Sequence, residues 1–137
     1  MSITELKLYK KCNCHRTVEI GELYFFENYL IAEFKEGVHI DFENFDETKT
    51  LVKKQFGNYP FGFISNRINP YSILVTDGPS FNKEFKNLKA YAVVSHTSIS
   101  EKIFEIENHF FSFNRKRFNS LQDAINWVEQ SLGSNSN

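Results

Sequence analysis

Residues 60–72 read PFGFISNRINPYS. The apolar run from Phe61 to Ile64 ends and polar side chains follow at once: Ser65, Asn66, Arg67, Asn69, Tyr71 and Ser72. This is the pattern of a buried strand that delivers hydrogen-bonding groups to a sheet edge. In open α/β sheets, ligands and partners are met at the carboxyl ends of the strands. These six residues are therefore the candidate binding surface. Arg67 can hold an anionic group through its planar fork. Asn66 and Asn69 can satisfy a turn or a ligand, and Tyr71 and Ser72 offer hydroxyls. The same residue types also dominate turns for backbone reasons alone, so a loop that merely holds itself is the competing reading.

Upstream, the chain reads as β structure. Residues 17–20, 23–26, 30–35 and 38–43 are strand candidates separated by short turns, with Gly21 and Gly37 among the breaks. In the third, Leu30, Ala32 and Phe34 alternate with Ile31, Glu33 and Lys35, which predicts one apolar and one mixed face. Val38, Ile40 and Phe42 alternate with His39, Asp41 and Glu43 in the fourth. Together they predict an antiparallel meander. At Asn44 the period changes. Phe45, Thr48, Val52 and Phe56 recur at helical spacing, Asn44 and Glu47 approximate a capping box, and Gly57 follows as a C′ residue should. A helix is expected over 45–56.

Downstream, residues 67–79 read as loop, and Ser80 caps a short helix carrying Phe81, Phe85 and Leu88. Residues 90–95 are a second buried strand. Ser98 and Glu101 form a capping-box pair before a helix whose face is Ile99, Ile103, Ile106 and Phe110. Residues 111–113 read as a short strand or extended connection. Ser120 and Asp123 cap a last helix, with Leu121, Ala124, Ile125, Val128 and Leu132 as the cleanest helical stripe in the chain. The order predicts an α/β fold with a mixed sheet of about four to six strands and about four helices. The sheet begins with an antiparallel meander and becomes parallel where α and β alternate. Residues 1–132 read as a single domain and 133–137 as a polar tail.

Composition narrows the function classes. The chain has 137 residues, 41% hydrophobic and 24% charged, with 15 Phe and 6 Tyr to fill its interior. A net charge of -1 leaves no overall electrostatic footprint for nucleic acid. The densest basic cluster, Arg115-Lys116-Arg117, reads as a solvated turn or strand edge. No window has the ~18 apolar residues of a membrane span, and no signal-peptide core is present. The expected location is cytoplasmic, in keeping with two reduced cysteines, Cys12 and Cys14. Cys12, Cys14 and His15 invite a metal reading, but a structural zinc wants four ligands with wider Cys spacing. No metal and no cofactor is expected. Nucleophile elbows and phosphate-cradling glycine loops are missing, so no catalytic residue is assigned.

Residues 60–72, together with KAYAVVS at 89–95 and FNSLQDAINWV at 118–128, resemble the SpoIIAA-like branch of the STAS superfamily, small bacterial proteins of Bacteroidetes type. The resemblance runs from about Ile20 to Val128. It implies a mixed sheet with helices packed on it. Relatives of that fold include anti-sigma factor antagonists, which bind a kinase-like partner and are switched by phosphorylation of a Ser at a helix start, and CRAL-TRIO lipid carriers. The antagonists' Asp-Ser-Ser-Gly type segment is missing here. Ser65-Asn66-Arg67 stands in its place, so the resemblance carries no phosphoswitch to Ser65 or Ser72.

The expected function is a non-enzymatic binding or regulatory domain that engages a protein partner at the six residues above. One alternative is a carrier of a small lipophilic ligand, suggested by the phenylalanine-rich interior. A further alternative is an enzyme of unknown class. Tyr24 or Tyr29, if exposed on the outer face of the meander, would allow a homodimer across the sheet edge.

Overall fold

The computed structural model describes residues 1–133. Gly133 closes the last helix, and the rest of the expected tail, residues 134–137, lies outside the described residues. Two 3-10 turns, Ile3–Glu5 and Lys7–Lys11, precede the first strand. In chain order follow β1 (Cys14–Val18), β2 (Gly21–Phe25), β3 (Tyr29–Phe34), β4 (His39–Ile40) and α1 (Asp46–Phe56). Then come β5 (Phe61–Asn66), β6 (Ser72–Ile73), α2 (Gly78–Glu84) and β7 (Leu88–Val94). The chain ends with α3 (Ser98–Glu107), β8 (Arg115–Phe118) and α4 (Leu121–Gly133).

The main sheet has six strands in the order β1-β2-β3-β5-β7-β8. β1, β2 and β3 are antiparallel, and β3, β5, β7 and β8 run parallel. The parallel half explains why β5 and β7 read as nearly continuous apolar runs. Helices joining parallel strands must lie on the sheet, so these strands are covered on both faces. On one face Val52 and Phe56 of α1, Phe81 of α2 and Phe104 of α3 meet Phe34, Phe63 and Tyr91 of the sheet. On the other, α4 and Ile3 meet Ile31, Ile64, Ala90 and Ala92. Small residues stand on the sheet where α4 comes close. A Cβ added at Gly62 would lie 2.3 Å from Val128 Cγ1.

Several elements differ from the sequence reading. The fourth strand is two residues long, and it leaves the meander to pair in parallel with β6 as a separate sheet, His39 opposite Ser72. Asp41 and Asn44 instead bond each other's backbone and turn the chain into α1. Glu47 does not close a capping box: its carboxylate accepts from Glu19 N at 2.9 Å. The first strand starts at Cys14, ahead of the expected 17–20, so Cys14 and His15 are strand residues. β3 is buried on both faces, Glu33 included, because the N-terminal turns cover the face expected to be mixed. α2 begins at Gly78, and the extended edge element is Arg115–Phe118 rather than 111–113. No helix among the described residues is long and apolar enough to cross a membrane.

The close approach at Gly62 gives a test. Gly62→Ala forces α4 outward and should lower unfolding stability by about 1–3 kcal/mol, the usual cost of overpacking. Adding Val128→Ala removes the colliding methyl groups. The double variant should then lose less than the sum of the two single losses in denaturant titrations.

Candidate functional site

Strand alternation distributes the six expected residues. Successive side chains of a strand leave on opposite faces. Ser65 therefore shares the face of Phe61 and Phe63, beneath α3, whereas Asn66 shares the face of Ile64, toward α4 and the N-terminus. The six do not form one cluster. They belong to two hydrogen-bonded networks at the carboxyl edge and to the loop that leaves it.

The first network surrounds the carboxylate of Glu107, at the end of α3. Arg67 Nη2 donates to both its oxygens at 2.8 Å, and Arg115 Nη2 donates to Oε1 at 2.9 Å. Side-chain exposure is 7% for Arg67, 1% for Arg115 and 2% for Glu107, so the three charges are out of water together. Aromatic rings replace the lost solvent. The Arg115 guanidinium lies 4.5 Å from the Tyr91 ring centroid, 4.6 Å from Phe104 and 5.0 Å from Phe111. Arg115 Nε faces this surround without a hydrogen-bond partner. Arg67 Nε donates to the Tyr71 hydroxyl at 3.0 Å, and that hydroxyl also bonds Ser65. Burial works against the charge of Arg67, but Tyr71 and Glu107 outweigh it and raise its pKa.

The second network is built on Glu33, 6% exposed at the end of β3. Its carboxylate accepts from Ile3 N at 2.7 Å, the Ser2 hydroxyl at 2.7 Å and Asn66 Nδ2 at 2.8 Å. Asn66 Nδ2 also donates to Met1 O at 2.9 Å. The pair pins the first residues across the sheet and buries Ile3 completely.

Between these networks the backbone of residues 67–72 is fastened at both ends. Arg67 N donates to Val94 O at 3.0 Å, Gly37 N to Pro70 O at 2.8 Å, and Ser72 N to Val38 O at 3.0 Å. Asn69 Nδ2 donates to Phe34 O at 3.3 Å. Ile68, Pro70 and Ser72 are what this loop turns outward. The Ser72 hydroxyl lies 2.6 Å from His39 Nδ1. A nucleophile and its base need a third group to orient the base, and the other nitrogen of His39 meets none among the described residues.

The remaining candidates resolve as follows. Cys12 Sγ bonds Cys14 O, and burial pushes the Cys12 thiol up. His15 stacks on Tyr24 at 4.4 Å and meets Glu22 at 2.7 Å. Among the described residues, no group of three or more His, Cys, Asp or Glu is placed to hold a metal ion. Tyr24 and Tyr29 are each 3% exposed, so they are not available for the edge pairing expected of them. The phenylalanine-rich interior leaves a cavity of about 50 Å³ lined by Phe34, Phe45, Phe63, Phe81 and Tyr91, among others. Drug-sized ligands occupy roughly 300 Å³ or more. An open groove of about 400 Å³ lies between the N-terminal turns, Asn66, His96 and the start of α4.

This combination of a meander, three parallel additions and helices on both faces has a solved counterpart. A protein of the DUF3478 family from Shewanella loihica, uncharacterised and with a SpoIIAA-like fold, aligns at a TM-score of 0.58. It is 17% identical, with 85% of this chain and 96% of that chain covered. The fold is SpoIIAA-like. No protein-family model matches the sequence, and no curated protein matches it. Of the residues that build the two networks, sequence reasoning missed Glu33, Glu107 and Arg115. Glu107 lies three residues after Phe104 and four before Phe111, which was the signal for an inward-facing carboxylate.

Two outcomes are expected. Glu107→Ala leaves two guanidinium groups buried without a counter-charge and should cost about 3–5 kcal/mol in denaturant titrations. Tyr91 supplies the second. Burial pushes its phenol up to about 12, partly opposed by Arg115. The folded state thus favours the neutral phenol. That contribution is present below the unfolded value of about 10 and is lost as pH rises from there through about 12. Tyr91→Phe keeps the ring and removes the titrating proton, so its alkaline unfolding midpoint should lie above that of the parent.

Proposed function

We propose that the protein is a non-enzymatic binding domain that engages a protein partner at the carboxyl edge of its parallel strands. The contact surface comprises the loop of residues 67–72 and the adjoining helix α3. One observation carries the reading: Ser65, Asn66, Arg67 and Tyr71 spend their polar groups on the protein itself. These bonds fix the loop in advance, and a preformed loop loses less conformational entropy on binding. What it then offers is a mixed surface of Ile68, Pro70, Ser72 and Asn69. No catalytic residue and no cofactor enters this reading.

The test uses two exposed positions at opposite ends of the sheet, since Arg67 and Tyr71 are too deeply buried to be informative. Ile68 is 38% exposed at the carboxyl edge, and Tyr59, 79% exposed, precedes β5 at the amino edge. Affinity purification from the native host should retain a stoichiometric partner with the parent and with Tyr59→Ser, and lose it at least about tenfold with Ile68→Asp. All three proteins should melt alike. Retention of every partner by Ile68→Asp would remove this edge as the binding surface.

A further inference from the structure

Strands β7 and β8 are neighbours, but the helices that follow them lie on opposite faces of the sheet. α3 joins α1 and α2 on one face, and α4 covers the other. Where adjacent strands send their connections apart in this way, a crevice opens beyond their carboxyl ends, and open α/β sheets bind ligands there. The groove of about 400 Å³ lies at this point. Val94 and His96 line it from the end of β7, Asn119 and Ser120 from the turn into α4, and Asn66 from the end of β5. Its volume falls within the range of small-molecule pockets, which begins at roughly 300 Å³.

Polar groups of three kinds meet in the groove without partners. α4 begins after Ser120, whose hydroxyl accepts from Asp123 N at 3.1 Å and whose carbonyl accepts from Ala124 N at 3.2 Å. The N–H groups of Leu121 and Gln122 have no acceptor among the described residues. They point out of the helix end, where an anion is favoured. Lys7 and His96, both exposed, also line the groove and have no hydrogen-bond or ion-pair partner among the described residues. Among those residues no acid lines it. The third kind is an acceptor. Asn66 is 2% exposed, and its Nδ2 is held by the Glu33 carboxylate and Met1 O. Both are acceptors only, which fixes the amide with Oδ1 turned away from them. Oδ1 accepts no hydrogen bond among the described residues and is not sealed in, so it reaches the groove that Asn66 lines. Donors for an anion and a buried acceptor thus face the same space, and one molecule satisfies both only if it carries an anionic group and a hydroxyl.

The strand register sets the length of that molecule. Asn66 stands opposite Val94, and Val94 opposite Phe118, so two strand spacings, about 10 Å, separate Asn66 from the chain that leads into α4. We infer that the groove binds a phosphate monoester of a short polyol. The phosphate accepts from the N–H groups of Leu121 and Gln122, with Lys7 and His96 beside it, and the far hydroxyl donates to Asn66 Oδ1. Leu6, Leu8 and Val94 give the carbon chain apolar walls. The site goes beyond the protein-partner reading and uses none of the residues that the loop of 67–72 turns outward.

Titration of the isotope-labelled full chain, followed by the NMR shifts of its amides, tests the site. Glycerol 3-phosphate should shift the Leu121 and Gln122 amides and saturate at millimolar concentration. Inorganic phosphate, which cannot reach Asn66, should bind at least about tenfold more weakly, and glycerol should leave the amides of α4 unmoved. Lys7→Glu and His96→Glu should each weaken glycerol 3-phosphate at least about tenfold. Lys54→Glu makes the same charge change as Lys7→Glu in the last turn of α1, away from the groove, and should bind as the parent does. All three positions are exposed, and equal melting temperatures would confirm intact folds. Absence of a saturating shift at Leu121 and Gln122 overturns the inference. So does equal weakening by Lys54→Glu, which would mark a diffuse charge effect, or equal affinity for inorganic phosphate, which would remove the hydroxyl contact. Ile68→Asp should bind glycerol 3-phosphate like the parent, so the loop reading stands or falls separately, on partner capture.

Discussion

The carboxylate of Glu107 is the constraint around which the carboxyl edge is arranged. A carboxylate removed from water is costly unless its oxygens are paired, and each guanidinium brought to it needs compensation in turn. The three groups come from distant parts of the sequence: the loop after β5, the end of α3 and the start of β8. Their meeting fixes where α3 lies on the sheet, which way the loop leaves β5, and how β8 adds to the edge. Two cations share one anion, so the ion pairs alone do not balance the site. The faces of Tyr71, Tyr91, Phe104 and Phe111 supply the remaining negative potential, which aromatic rings present to a cation lying over them. This accounts for aromatic residues at positions where aliphatic ones would fill the same volume.

Glu33 does for the other face what Glu107 does for the first. Both acids stand at the carboxyl edge, both are almost fully buried, and each takes in one residue of the stretch 65–67. Alternation along β5 is what lets a short polar run serve both. Asn66 turns toward the N-terminal residues while Ser65 and Arg67 turn toward α3. The polar density that distinguishes this stretch in the sequence therefore reflects two internal tethers that leave a fixed loop between them.

The fold was legible where a single periodicity dominates. β5, β7 and α4 carry uninterrupted apolar patterns, and α1 follows its Val52 and Phe56 stripe closed by Gly57. Legibility failed where charge enters the interior. Arg115-Lys116-Arg117 has the composition of a solvated edge, yet Arg115 lies among three rings, and the strand forms at Arg115–Phe118 rather than at the apolar residues 111–113. Residues 38–43 alternate well enough for a strand, but the Asp41–Asn44 turn claims their backbone after two residues. At the site, the residue types were legible and their directions were not. Direction depends on partners such as Glu33 and Glu107, whose distance along the chain gives no local signal.

The orientation of α3 shows the same competition most plainly. Its hydrophobic periodicity favours burying Ile99, Ile103 and Ile106, and that is the face expected to meet the core. Turning the helix by about a quarter turn would do so, with a gain of roughly 1.5–3 kcal/mol for each isoleucine fully buried. The same turn would withdraw Phe104 and carry Glu107 away from both arginines. Leaving a buried ion pair without one of its members costs about 3–5 kcal/mol, and here two cations share the anion. The charged arrangement therefore sets the rotation of the helix, and the isoleucines stay outside as a consequence of it. The electrostatics that keep the row exposed thus place it at the edge where the loop of residues 67–72 emerges.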